Sequence, residues 1–97
     1  MDEIKFSWDA RKSKQNIKKH KVSFKEAATV FLDENAIEFF DPQHSSQEDR
    51  YLMIGISNCF RILVVSYCLR KVNLEIRIIS ARRATKNEQR FYSRRKL

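Results

Sequence analysis

The sequence has 97 residues, of which 42% are hydrophobic and 11% aromatic, a composition typical of one globular domain rather than of a disordered chain. Its single glycine and single proline exclude collagen-like, glycine-rich phosphate-binding and proline-rich linker sequences. Two cysteines are too few for a four-cysteine zinc site, and no apolar run approaches the ~20 residues that a membrane-spanning helix needs. We therefore expect one soluble domain, residues 1–97, in the reducing cytoplasm and not in a membrane.

The charges are segregated along the chain, and 20 basic against 12 acidic residues give a net charge of +8. Residues 10–25 contain seven basic residues and no acidic one, and residues 26–49 contain seven acidic residues and no lysine or arginine. Residues 50–97 contain twelve basic residues against Glu75 and Glu88 alone. Two basic blocks predict a surface that binds a polyanion, most often a nucleic acid. The alternatives are a solvated basic surface or one that complements an acidic protein.

The N-terminal third of the chain predicts two short helices. Apolar and polar residues alternate over 4–8, which indicates a short strand or an extended entry. Asp9 is a favourable N-cap for a first helix, which ends near residue 19. Ser23 and Glu26 have the spacing of a capping box, and the helix that they start is expected to end near Leu32.

The chain then changes to apolar, β-branched runs, which predict four strands at 36–40, 51–56, 61–67 and 74–81. Loops of about four residues between the last three favour antiparallel hairpins. Thr85 and Glu88 form a second capping box, which starts a basic helix through Phe91 and Tyr92. The predicted fold is α+β, with two N-terminal helices and one C-terminal helix on a twisted antiparallel sheet of about four strands.

The pairing of the last two strands decides which arginines share a face of the sheet. If Leu69 faces Leu74 across the loop, Arg61 lies opposite Arg82. A bulge or an odd-length loop instead places Arg61 beside Arg77 and Arg83.

In either register, arginines share a face within apolar strands, where like charges are unfavourable unless an anion or a carboxylate lies between them. The planar guanidinium binds phosphate through two hydrogen bonds. We therefore expect Arg61 and Arg77 to bind a phosphodiester, with Arg82 and Arg83 assisting. The alternative is an ion pair of Arg77 with a carboxylate at its strand edge, from Glu75 or Asp49.

The histidines and tyrosines are weaker candidates. His20 lies at a helix C-terminus among lysines and is either a general acid or a packing residue. His44 lies near Asp41 and Asp49 but lacks a third metal ligand at suitable spacing. Tyr67 is able to stack on a base or transfer a proton, although a tyrosine in a strand is more often part of the core.

Several strings of residues resemble the BrnT toxins. They are FSWD at 6–9, NIKKHKVSFKEA at 16–27, EDRY at 48–51, RILVV at 61–65 and IRIISARRA at 76–84, with Glu88 and Tyr92 beyond. They follow the order of the family over nearly the whole chain. One departure is Lys21, because family members commonly carry glycine after the histidine, and lysine there disfavours a left-handed turn.

The resemblance implies a small bacterial ribonuclease of a type II toxin–antitoxin system, with a fold like that of the RelE toxins. It implies a BrnA-type antitoxin that masks the activity and, through a DNA-binding domain, represses the shared operon. The complex is expected to contain two copies of each chain. Related toxins inhibit translation by cutting RNA, so the expected substrate is RNA, free or on the ribosome.

Cleavage without a metal or other cofactor, by attack of the ribose 2′-OH, needs a base, an acid and a cation that stabilises the phosphorane. The candidate catalytic residues are Arg61, Arg77, Glu75, Tyr67 and His20. The candidate RNA-binding residues are Lys19, Arg50, Arg82 and Arg83.

Arg61 and Arg77 are expected to stabilise the phosphorane. Glu75, Asp49 or His20 is the expected base, whereas Lys19, Tyr67 or His20 is the expected acid. The sequence contains no unmistakable acid–base pair, and a non-catalytic basic co-repressor or a structural RNA-binding protein therefore remains the alternative.

Overall fold

Three helices pack on a five-stranded sheet in residues 4–46, 48–70 and 74–96, the parts of the chain that the computed structural model describes. The strands are β1 (Lys5–Ser7), β2 (Ile37–Phe40), β3 (Arg50–Ile56), β4 (Ile62–Arg70) and β5 (Glu75–Arg83). The helices are α1 (Ala10–His20), α2 (Phe24–Thr29) and α3 (Lys86–Lys96), with 3₁₀ turns at Val30–Leu32 and Pro42–His44. The predicted α+β class and element order are confirmed. Over these ranges, no helix is long and apolar enough to cross a membrane.

The sheet has one strand more than predicted, in the order β1-β5-β4-β3-β2. Strands β2 to β5 pair antiparallel, as the short loops predict. β1 runs parallel to β5, with Phe6 beside Ile76, so the sheet is mixed and not wholly antiparallel. No hairpin constrains the direction of β1, because two helices and three strands separate it from β5 in the chain.

Of the two registers considered for β4 and β5, the direct one was wrong and a bulge is present. Leu69 pairs with Ile76 rather than with Leu74, and an unpaired residue, Ile79, forms a bulge that shifts the pairing by one residue. Residues 71–73, which contain most of the predicted loop, lie outside the described residues.

The arginines are consequently divided between the two faces. Arg61 lies near one end of the sheet with Arg83, as the bulged register predicts. Arg77 pairs with Cys68 near the other end and on the opposite face, so the prediction that Arg61 lies opposite Arg82 or beside Arg77 was wrong.

Each face of the sheet has its own core. The core beneath α1 and α2 consists of the buried residues Val22, Phe24, Ala27, Val30, Leu63, Val65, Tyr67, Ile76, Ile78 and Ala81. The smaller core beneath α3 consists of Ile54, Val64, Ala84 and Tyr92. α3 therefore packs on the half of its face where β4 begins. In the other half, Arg50, Ser66 and Arg77 are half-buried and Ser80 is exposed. We call this second half, with Ser7 and Cys68, the open half-face.

Asn16 joins α1 to the edge of β5 where β1 no longer pairs with it. Its Nδ2 donates to the carbonyl oxygens of Ala81 and Val22, both at 2.8 Å, and its Oδ1 accepts from the N–H of Ala81 at 3.1 Å. A buried amide thus supplies the hydrogen bonds that a neighbouring strand would make. This contact fixes α1, and with it His20, against the sheet.

The helix ends follow the sequence signals, with one exception. Asp9 and Ser23 each accept a backbone N–H at 3.0 Å, which confirms both predicted N-caps. Lys21 ends α1 at φ 60° and ψ 32°, and its N–H donates to the carbonyl oxygen of Ile17 at 2.9 Å. The left-handed turn that Lys21 put in doubt does form, because this helix end needs that conformation and lysine adopts it at some energetic cost.

Candidate active site

Arg61 is held by a carboxylate at the end of the sheet. Its Nε donates to Glu26 Oε2 at 3.0 Å, its Nη2 contacts Glu26 Oε1, and Nη2 also donates to the carbonyl oxygen of Lys21 at 3.0 Å. Ser57 Oγ donates to the same carboxylate at 2.6 Å. The hydrogen bond between Arg61 and Glu26 lowers the pKa of Glu26 and raises that of Arg61. Arg61 therefore joins α2 to β4, and most of its donors are used inside the protein.

Arg82 is also paired. Its Nη1 and Nη2 donate to Glu88 Oε1 and Oε2 at 2.8 and 2.9 Å, a bidentate contact at the start of α3. Glu88 Oε1 accepts from the N–H of Thr85 at 2.8 Å, and the N–H of Glu88 donates to Thr85 Oγ1 at 3.2 Å, which confirms the predicted capping box. Hydrogen bonds from Arg82 lower the pKa of Glu88 to about 2.

Arg77 lies on the open half-face and has a different environment. Its Nη1 lies 3.4 Å from Ser7 Oγ, and Ser7 Oγ donates to Glu75 Oε2. Ser7 thus links Arg77 to Glu75, whereas a direct ion pair of Arg77 with Glu75 or Asp49 does not form among the residues that the structure describes. The sequence did not single out Ser7 for this contact, because the parallel pairing of β1 with β5 cannot be read from local pattern.

Arg50 is the second arginine on the open half-face. It pairs with Cys68 on β4, and Cys68 pairs with Arg77 on β5, so the three side chains form a row across one face of the sheet. Cys68 is buried, and this burial raises the pKa of its thiol. Arg50 Nε is buried and has no hydrogen-bond partner within the described ranges. A buried N–H without a partner is unfavourable unless a water molecule or a ligand satisfies it.

His20 and Lys19 line a groove between α1 and the bulge of β5. Lys12, Ile79 and Ser80 also line this groove. Ser80, which pairs with Ser66 of the open half-face, is the residue that the groove shares with that surface. Arg50, Arg77 and Glu75 therefore lie on or beside the open half-face, whereas His20 and Lys19 line a separate groove on α1.

Tyr67 and Arg83 lie elsewhere. Tyr67 is completely buried; its hydroxyl donates to Glu38, and its ring centroid lies 4.9 Å from that of Phe31. Burial raises the pKa of its hydroxyl above the usual range. Arg83 is exposed at the end of the sheet and lines a cleft with Phe60 and Arg61.

The titratable residues in the described parts of the chain form no cluster of three or more histidine, cysteine, aspartate or glutamate side chains that could hold a metal ion. His44 Nδ1 lies 2.8 Å from Asp41 Oδ2, as a pair without a further ligand in the structure described. The chemistry that the open half-face offers is cationic stabilisation of an anion beside a carboxylate.

A comparison with known protein families identifies the family to which the chain belongs. The pattern of the family described as "Ribonuclease toxin, BrnT, of type II toxin-antitoxin system" matches residues 8–88. The chain belongs to the BrnT family. The resemblance of the sequence strings is thereby confirmed, and membership makes the chain a ribonuclease toxin of a type II toxin–antitoxin system with an antitoxin as its partner.

A solved structure supports this assignment. The chain is similar to the crystal structure of the Brucella abortus ribonuclease toxin BrnT, with a TM-score of 0.66 and 26% sequence identity. The similarity covers 87% of this chain and 100% of that one. No curated protein matches the sequence.

Proposed function

We propose that this BrnT family member is an endoribonuclease that needs no metal ion. The ribose 2′-OH attacks the adjacent phosphorus, the bond to the 5′-oxygen of the next nucleotide breaks, and the products carry a 2′,3′-cyclic phosphate and a 5′-OH. The observation that supports this proposal is the division of the arginines: Arg61 and Arg82 form ion pairs with carboxylates, whereas Arg50 and Arg77, on the open half-face, form no ion pair among the described residues.

In this proposal, Arg77 and Arg50 stabilise the negative charge of the phosphorane. Their strands place them on either side of Cys68, and a phosphate between the two guanidinium groups would accept charge-assisted hydrogen bonds from both. The orphaned N–H of Arg50 supports this assignment in particular. We leave Arg61 out of the catalytic set because Glu26 and the Lys21 carbonyl already occupy its donors.

Glu75 is the proposed base. Ser7 connects its carboxylate to Arg77, which places it beside the group that binds the phosphate. His20 is the proposed acid that protonates the 5′-oxygen, and Lys19 is proposed to bind the RNA; both line the groove whose Ser80 pairs with Ser66 of the open half-face. Tyr67 is left out because its hydroxyl is buried in the core.

The cognate partner is proposed to be a BrnA-type antitoxin in a complex of two toxins and two antitoxins, which represses its own operon. Family membership implies an antitoxin, and the resemblance of the sequence supports the BrnA type. Cleavage of RNA, free or on the ribosome, would inhibit translation while the antitoxin is absent. The net charge of +8 supports binding of this substrate.

Purified protein and a 5′-labelled RNA in EDTA test the mechanism. We expect cleavage with a 2′,3′-cyclic phosphate, and we expect none at a position where the ribose is replaced by 2′-deoxyribose. A requirement for a divalent cation, or cleavage at the 2′-deoxy position, would contradict the mechanism. Binding without cleavage, both of free RNA and in a translating extract, would favour the co-repressor function.

A further inference from the structure

Phe60 is placed unfavourably for a residue that serves only the fold. Its side chain is 86% exposed, so the ring contributes little to either core. Its backbone has φ 60°, a left-handed conformation that glycine or asparagine adopts more readily. Phe60 thus combines an exposed aromatic ring with a strained backbone, two features that occur together at functional sites.

The turn that contains Phe60 fixes the position of the ring. The N–H of Phe60 donates to the carbonyl oxygen of Ser57 at 3.0 Å, and the N–H of Ser57 donates to the carbonyl oxygen of Arg61 at 2.9 Å. Ser57 is buried and binds Glu26, which anchors the turn to α2. The ring is therefore presented on a defined hairpin end and not on a long loop.

The surroundings of the ring are basic. Phe60 lines an open cleft of about 470 Å³ together with Arg61, Ile62, Arg83, Ala84 and Gln89. Gln89 also belongs to the adjoining groove along α3, which is lined by Lys86, Arg90, Ser93 and Arg94. Of the charged residues that line the cleft, both are arginines, and Glu26 and Glu88 are paired with Arg61 and Arg82. The exposed charge around the ring is therefore positive.

We propose that Phe60 stacks on a nucleobase of the bound single-stranded RNA, while Arg83 binds the phosphate beside that base. An exposed aromatic ring flanked by cations is the arrangement that proteins use to bind single strands, because every base has a face on which to stack. This inference rests on the proposed function, since it concerns the same substrate. It adds a second contact surface, at the opposite end of the sheet from Arg77.

The distance between the two surfaces sets which nucleotide Phe60 contacts. Arg61, just before β4, and Cys68 are seven positions apart, and at about 3.3 Å per residue they lie roughly 23 Å apart. An RNA that binds at both Arg77 and Phe60 therefore has several nucleotides between the cut and the stacked base. Phe60 is accordingly a residue for affinity and substrate choice and not a catalytic residue.

The test measures binding separately from cleavage. A fluorescein-labelled single-stranded 12-mer of 2′-O-methyl RNA binds without being cut, because the attacking hydroxyl is blocked, and anisotropy gives its Kd. Phe60→Trp keeps the aromatic ring, Phe60→Leu keeps the apolar bulk without it, and Phe60→Gly relieves the backbone strain. Leu32→Ala, at a side chain 83% exposed, is the control for loss of an exposed apolar group.

We expect Phe60→Leu and Phe60→Gly to weaken binding about tenfold, and Phe60→Trp and Leu32→Ala to bind as wild type does. Phe60→Gly is also expected to unfold at a higher temperature than wild type, which separates lost affinity from lost stability. Wild-type affinity in Phe60→Leu would overturn the stacking contact and leave the ribonuclease mechanism standing. Failure of the wild-type protein to bind the 12-mer would overturn both.

Discussion

Arg61 Nε lies 3.0 Å from Glu26 Oε2, in an ion pair that joins the start of β4 to α2. The Glu26 side chain is 9% exposed and that of Arg61 is 24% exposed, so the pair is largely shielded from solvent. A second arginine, Arg77, has no such partner among the described residues, where its side chain donates one hydrogen bond, to Ser7 Oγ at 3.4 Å. The sequence alone predicts the same role for both arginines. In the structure, the environment of Arg61 is suited to stabilising the fold and that of Arg77 to binding an anion.

Replacement of Arg61 by methionine is expected to destabilise the fold. The variant leaves the Glu26 carboxylate buried without its counter-ion, which costs about 2–3 kcal/mol in the free energy of unfolding for a pair that solvent partly reaches. Urea denaturation measures this loss. The double variant Arg61→Met/Glu26→Gln removes the unpaired charge and is expected to recover part of it; a double variant less stable than the single one would contradict the assignment.

Asn16→Ala is expected to lower stability by about 2–4 kcal/mol. The substitution removes three hydrogen bonds and leaves the N–H of Ala81 and the carbonyls of Ala81 and Val22 without them. Thermal unfolding, with the exposed neighbour variant Gln15→Ala as control, measures the effect. Equal melting temperatures for the two variants would show that Asn16 does not hold α1 to the edge of β5.

Lys21→Gly is expected to stabilise the protein by about 1 kcal/mol, because glycine adopts the left-handed conformation at the end of α1 without steric cost. Lys21→Ala is the matched control, since it removes the same charge and keeps the strain. Urea denaturation of both variants separates the two effects. A gain in stability in the alanine variant as large as in the glycine variant would attribute it to charge instead.

Features that depend only on neighbouring residues, such as the helix caps, were predicted correctly from the sequence. The caps at Asp9, Ser23 and Thr85 form as expected, because each is a hydrogen bond within one helical turn. The α+β class followed from the order of the helical and strand patterns.

Long-range pairing could not be predicted in the same way. The bulge at Ile79 and the parallel contact of β1 with β5 depend on the packing of distant segments, and they decide which arginines share a face. Glu26 fits a capping box in the sequence, yet its carboxylate binds Arg61, 35 positions away. The candidate site was therefore predicted as a set of residue types, while its division into paired and open arginines required the structure.

The stability contributed by Glu88 is expected to depend on pH. The folded pKa of Glu88 is lowered from 4.5 to about 2, so its ionised form adds stability above pH 4.5 and this contribution is lost as the pH falls towards 2. Glu88→Gln is expected to cost about 1–2 kcal/mol at pH 7, since Arg82 is 41% exposed and solvent screens the pair. Urea denaturation at pH 7, 4 and 2.5 should show the two proteins converging at low pH. A constant difference across this range would contradict the pairing.

The proposed catalysis depends most directly on Arg77, so the decisive measurement is the kcat/KM of RNA cleavage in EDTA for the wild type and for Arg77→Ala. Arg11→Ala, which removes an equal charge from the exposed start of α1, is the control, and urea denaturation verifies that all three proteins are folded. We expect Arg77→Ala to lose about 100-fold or more in kcat/KM with wild-type stability, because its guanidinium acts on the charge that develops in the transition state. Cleavage by a folded Arg77→Ala protein at the rate of Arg11→Ala would contradict the account.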